Sequence, residues 1–159
     1  MSRGASSSTP PSGAANPDAV EVCARLDGRV VWLPTVSSAS HQVAAGSPQL
    51  AVHRELQFRP VPVLDGKSPA PGLDEVLDVV AAHDLVLASG HIPVADALRI
   101  FRAAHARGAR RFLVNHPTVD FMHWTDDLLG PLRLLGPPRG RVRRRPRLRP
   151  RREPYRRAG

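Results

Sequence analysis

Apolar residues alternate between two kinds of spacing, helical and continuous, through the centre of the chain. Residues 17–27, 72–84 and 93–108 have helical spacing, and two of these segments carry clear inward stripes. Continuous apolar runs at residues 29–36, 85–89 and 111–115 are typical of strands covered on both faces. The predicted stripes are Leu73, Val76, Leu77 and Val80 in one helix, and Val94, Ala97, Leu98, Phe101 and Ala104 in the other. Alternating strands and helices predict an α/β fold with a parallel sheet.

The first helix has clear start and stop signals. Asn16 is a favourable N-cap, Pro17 suits the first helical position, and Gly28 is a plausible stop. Ala19, Val20, Cys23 and Leu26 form an apolar stripe, which predicts that Cys23 lies in the core. A lone cysteine excludes an internal disulfide framework and suits a reducing cytoplasm.

The segments outside this pattern differ in composition. Residues 1–15 are small, polar and aperiodic and are predicted to be disordered, followed by a βα domain over residues 16–130. Residues 37–71 are predicted to form a long connection that contains a small hairpin with its turn at Asp65–Gly66. Residues 131–159 become rich in Arg and Pro and are predicted to be a disordered tail. No apolar stretch or secretory signal indicates a membrane, so a cytoplasmic location is expected.

The high net charge of +9 belongs to the tail. Residues 139–159 hold 11 arginines and one glutamate, while the rest of the chain holds 12 basic and 13 acidic residues. The tail therefore predicts non-specific binding of nucleic acid through phosphates, without base readout, since Tyr155 is its only aromatic residue. The charge says nothing about the partner of the folded part.

Two of the predicted strands end in similar motifs, "VLASGHIP" and "FLVNHP", which place His91 and His116 just beyond them. Functional groups gather at the carboxyl ends of parallel strands, so these imidazoles are expected to share a crevice. His41, shortly after the first strand, is a candidate third residue. Neutral imidazole is a common metal ligand, and catalytic zinc takes three protein ligands. The alternative is that these histidines only cap loops by hydrogen bonding to backbone.

The ordered trio of "WLPT", "SGH" and "NHP" segments resembles an uncharacterised amidohydrolase-like family of the metal-dependent hydrolase superfamily, over about residues 16–127. The resemblance implies a TIM-type barrel with a divalent metal, zinc being expected, held at strand ends with His91 and His116 among its ligands. His41 remains a candidate ligand from its position after the first strand alone. The paired His-x-His strand and the late strand-end aspartate of that family have no counterpart here. The chain therefore looks like the middle of a barrel.

This resemblance implies a metal-dependent hydrolase acting on a small-molecule substrate, encoded as an incomplete or frameshifted fragment. Two alternatives remain open. One is nucleic-acid binding through the Arg-rich tail, and the other is an inactive interaction fragment.

Overall fold

In a computed structural model of the protein, residues 15–46, 58–119 and 122–132 can be described. They form five helices, namely α1 (Pro17–Arg25), α2 (Ala39–Ala44), α3 (Leu73–Ala82), α4 (Val94–Ala106) and α5 (Asp126–Leu132). The strands are β1 (Val30–Trp32), β2 (Leu64–Asp65), β3 (Ser68–Pro69), β4 (Val86–Ala88) and β5 (Arg111–Leu113). The expected alternation of helices and strands is therefore confirmed.

The main sheet has three parallel strands in the order β1-β4-β5. Val31 pairs with Leu87, and Leu87 pairs with Phe112, so the three strands run side by side in register. The chain crosses from β1 to β4 through α3, and from β4 to β5 through α4. Parallel pairing brings the three carboxyl ends to one edge of the sheet, which is where the histidines follow.

The core lies between this sheet and helices α3 and α4. The predicted inward residues of both helices are buried, with Leu77, Val80, Ala97, Phe101 and Ala104 fully so. The guanidinium of Arg107, just after α4, contacts Asp74 and also lies 3.2 Å from Asp78 of α3. These two ion pairs join the helices at their exposed side.

Helix α1 is attached to the body through α3. Asn16 caps α1 as predicted, its side chain accepting the N–H of Ala19 at 3.0 Å. The imidazole of His83, which ends α3, donates from Nε2 to Oε2 of Glu21 at 2.7 Å. Val20 packs against the core, whereas Cys23 is exposed, so its predicted burial is wrong. The reason is that α3 covers only the side of α1 carrying Val20 and Ala24.

Three boundaries differ from the prediction. The first strand ends at Trp32, and the Trp32 side chain is 56% exposed. Leu113, in register with Trp32 across Ala88, is also exposed, so the predicted covering of both sheet faces is wrong for this part of the described sheet. Residues 37–71 are not one long loop, since they contain α2 and the β2–β3 hairpin, whose turn residues are Gly66 and Lys67. Helix α5 extends to Leu132, two residues into the predicted tail.

The remaining predictions for the chain ends lie outside the described residues, namely the disorder of residues 1–14 and of residues 133–159. Within the described part, none of the helices combines the length and apolar character needed to cross a membrane.

Candidate functional site

The three histidines singled out from the sequence meet beyond the carboxyl ends of the strands. Nδ1 of His41 lies 2.7 Å from Nδ1 of His91, although the residues are 50 positions apart. Their rings are nearly parallel, with centroids 4.9 Å apart. The ring of His116 lies on His91 as well, with centroids 5.2 Å apart and a tilt of 57°. His91 and His116 are therefore neighbours, as the topology predicted, whereas a crevice shared by both rings stays a prediction.

The three rings form a row from the interior to the surface. His41 is 1% exposed and His91 is 9% exposed, whereas His116 is exposed to solvent. His116 also has a left-handed backbone, with φ of +48°. Such a conformation is uncommon for a residue other than glycine, although histidine tolerates it better than most. This left-handed backbone in the turn after β5 places the His116 ring beside His91.

The short contact between His41 and His91 restricts their protonation. At 2.7 Å the two Nδ1 atoms share one proton, so one ring donates and the other accepts. Two imidazolium rings would place two N–H groups against each other. At least one of these buried rings is therefore neutral in this arrangement, and a neutral imidazole is the form that binds metals.

Ser38 connects the two buried histidines, and the sequence reading missed it. Its hydroxyl accepts the backbone N–H of His41 at 3.0 Å, which makes it the N-cap of α2. The same hydroxyl donates to the backbone carbonyl of His91 at 2.7 Å. Ser38 is 1% exposed, so both bonds are shielded from water. The signal in the sequence was a serine three residues before His41, a spacing typical of helix N-caps.

The "SGH" and "NHP" segments bind each other directly. Oδ1 of Asn115 accepts the backbone N–H of Gly90 at 3.0 Å, and Oγ of Ser89 accepts the backbone N–H of Asn115 at 2.9 Å. These reciprocal bonds join the ends of β4 and β5. They fix the residues immediately before His91 and His116, and hence the starting points of both side chains.

The "WLPT" segment is held against "SGH" just as closely. The backbone N–H of His91 donates to the carbonyl of Pro34 at 2.8 Å. Gly90 has φ of +57°, and a Cβ atom there would lie 2.2 Å from the carbonyl oxygen of Leu33. Glycine is therefore required at position 90 for this approach of two backbones. The three segments on which the family resemblance rests are thus assembled around the histidines.

An open cleft of about 480 Å³ adjoins His91. One wall is α2, and the other is formed by the residues that begin α4 together with the segment around Met122. Met122 and Trp124 are buried, while the intervening His123 is exposed and lines the cleft. The indole N–H of Trp124 is buried and has no hydrogen-bond partner among the described residues.

Several other histidines and acidic residues of the described part have ordinary structural surroundings outside this row. His83 pairs with Glu21, and His105 lies near Phe112, with ring centroids 6.5 Å apart. Asp126 is an acidic residue in the first turn of α5, as expected for a helix start. His53 and Asp120 fall outside the described residues. Within the described ranges, no set of three His, Cys, Asp or Glu side chains is arranged to hold a metal ion.

Comparison with known proteins gives one relationship. Residues 9–135 match a family of unknown function, DUF6282. No curated protein and no solved structure matches the chain significantly. The described geometry is therefore the basis for any functional assignment.

Proposed function

Because this chain belongs to the DUF6282 family, whose function is unknown, we propose its activity from the geometry of the histidine row. The proposed activity is metal-dependent hydrolysis of the amidohydrolase type, with His41, His91 and His116 as the metal-binding residues. The observation that carries this proposal is the contact between the Nδ1 atoms of His41 and His91.

The two Nδ1 atoms lie near the separation that one metal ion requires, although the hydrogen-bonded pair is not itself a ligand set among the described residues. Two nitrogens bound at about 2.0–2.1 Å to one tetrahedral zinc ion lie about 3.3 Å apart. The observed separation of 2.7 Å is shorter, so binding requires a small opening of the pair after its shared proton leaves. His116 supports the assignment as a third imidazole beside His91. A divalent metal bound here would lower the pKa of a water molecule and supply hydroxide near neutral pH.

The remaining residues of the site would orient the ligands. Ser38 fixes the backbone of both His41 and His91, and Asn115 fixes the strand ends that carry His91 and His116. Such supporting contacts govern metal affinity because they set the direction of each ligand. In this proposal the three parallel βα units belong to a larger TIM-type barrel, and the protein works in the cytoplasm on a small molecule.

Metal analysis of the purified chain tests this function. We expect about one zinc ion per chain, in line with one mononuclear site, and loss of the ion when His41 and His91 are both replaced by alanine. His105→Gln is the matched control, because it alters a histidine outside the row, and its metal content should equal that of the wild type. Circular dichroism checks that each variant is folded. Substoichiometric metal that is unchanged in the double variant would contradict the proposal.

A second function is favoured by the charge of the C-terminal segment. Eleven arginines between residues 139 and 159 are sufficient for salt-dependent binding to phosphates. This activity would be separate from the histidine row, since the rest of the chain is close to neutral.

A further inference from the structure

The cleft beside His91 is lined mainly by apolar residues, with a few polar side chains and without Lys, Arg, Asp or Glu among the described residues. Its apolar walls come from α2, from the start of α4 and from the segment before α5. The apolar lining includes Val43, Ala44, Ile92, Val94 and Met122, and the polar lining is Ser40, His91 and His123. No Lys, Arg, Asp or Glu is part of the described lining. A volume of about 480 Å³ lies within the usual range for small-molecule sites, about 300–1,000 Å³.

The two imidazoles of the lining are held in place by different means. His91 is fixed through its backbone by Pro34 and Ser38. His123 has a left-handed backbone, with φ of +52°, and lies between the buried side chains of Met122 and Trp124. Because Met122 and Trp124 are both buried, the His123 ring between them stays at the cleft. The cleft therefore offers hydrogen-bonding groups at defined positions on an apolar surface.

We infer that this cleft binds an uncharged small molecule whose hydrocarbon part lies on Val43 and Val94 and whose polar group faces His91 and His123. The inference rests on the proposed function, because a substrate of the His41–His91 centre would reach it along this cleft. Phosphorylated or carboxylated molecules are disfavoured, because the described lining has no lysine or arginine, and therefore no permanently charged cation, to pair with them. The substrate class is accordingly a neutral amide or ester with an aliphatic or aromatic substituent.

A binding experiment on the full chain tests this class without requiring turnover. Met122 lines the cleft, so a sample with methyl-labelled methionine gives a reporter there. Hexanamide is the neutral probe, and adipamate and 6-aminohexanamide are its anionic and cationic counterparts. We expect hexanamide to shift the Met122 methyl signal and both charged molecules to bind at least about tenfold more weakly, because the apolar cleft leaves their charge unpaired.

Val43→Asp changes the charge of the cleft without entering the core. Val43 is 85% exposed, so the variant is expected to fold. It should weaken hexanamide binding and make 6-aminohexanamide the better ligand. Val22→Asp is the matched control, since Val22 is exposed on α1 and does not line the cleft, and it should leave all three affinities unchanged.

Titrations in the presence of a chelator separate this inference from the proposed metal site. A hexanamide shift that persists without metal supports the cleft assignment, even where metal analysis has contradicted the hydrolase. Equal binding of the neutral and charged probes, or a Met122 signal that hexanamide does not move, would overturn the assignment, even for a chain that retains zinc.

Discussion

The side chain of Asn115 accepts the backbone N–H of Gly90 at 3.0 Å, across the ends of two neighbouring parallel strands. This bond lies one residue before His91 and one residue before His116. It explains why two similar motifs follow β4 and β5, because each motif supplies one half of the connection. The spacing of the His91 and His116 rings therefore depends on Asn115, which is not one of the two histidines.

Replacement of Asn115 by alanine is expected to disturb the site more than the fold. Loss of the acceptor leaves the N–H of Gly90 without this partner, at a cost of about 1–3 kcal/mol. We expect faster hydrogen exchange at the Gly90 amide, measured by NMR, and weaker retention of metal, measured by elemental analysis. Asn115→Asp keeps an acceptor oxygen and should restore much of the protection. Equal exchange in the alanine and aspartate variants would argue against the bond.

Gly90→Ala is predicted to be strongly destabilising. A left-handed backbone costs a residue with a Cβ about 1–2 kcal/mol. At position 90 the new Cβ would also meet the carbonyl oxygens of Leu33 and Pro34 at 2.2 and 2.4 Å. We expect a total loss of about 3 kcal/mol or more in the free energy of unfolding, measured by denaturant titration.

Gly66→Ala is the control for that prediction. Gly66 has nearly the same backbone, with φ of +60°, but a Cβ there would have no neighbour within 4 Å. Its replacement should cost only the backbone term, about 1–2 kcal/mol. The two variants would have equal stability if the approach of Leu33 and Pro34 to Gly90 were absent in solution.

The attachment of α1 is expected to depend on pH through Glu21. The hydrogen bond from Arg25, together with that from His83, lowers the pKa of Glu21 below its ordinary value of 4.5. The folded state therefore favours the ionised carboxylate. Its stabilising effect is present above the ordinary pKa and is lost as the pH falls through the lowered value.

Comparison of Glu21→Gln with the wild type measures this effect. The variant should be less stable at pH 7, and the difference in melting temperature should shrink below about pH 4, in line with the sign of the linkage. Arg25→Gln removes the larger cause of the lowered pKa of Glu21, so it should reduce the pH dependence of the melting temperature. If the difference in melting temperature between wild type and Glu21→Gln were the same at all pH values, the ionised Glu21 carboxylate could not be its source.

Deletion of residues 137–159 separates the two proposed functions. Binding to RNA or duplex DNA should be lost, and in the full chain it should weaken steeply with salt because counterions are released. Metal content should not change. Nucleic-acid binding that survives the deletion would place that activity in the body of the protein.

The sequence predicted those elements whose periodicity reflects a single buried surface. Helices α3 and α4 each pack one face on the sheet, and all their predicted inward residues are buried, together with Ile100 of α4, which was not among them. Helix α2 was missed because its six residues, rich in alanine, do not form an apolar stripe. The burial of Cys23 was misjudged because α1 has an apolar surface wider than its contact with α3.

Parts of the site were predictable for a different reason. Parallel strands must bring their carboxyl ends together, so the proximity of His91 and His116 followed from topology. The contact of His41 with His91, and the double role of Ser38, depend on how α2 lies against the segment that follows β4. Such packing is set by side chains far apart in sequence, and local patterns do not contain it.

The assembly of the histidine row has a consequence for how the protein is made. Ser38 and His91 are 53 positions apart, and Gly90 and Asn115 are 25 apart, so both of these supporting bonds close long loops of chain. Contacts of this kind form slowly and late in folding. A ribosome-bound chain acquires the row only after residue 116 has left the exit tunnel, and peptides cut from either half of the domain cannot reproduce it.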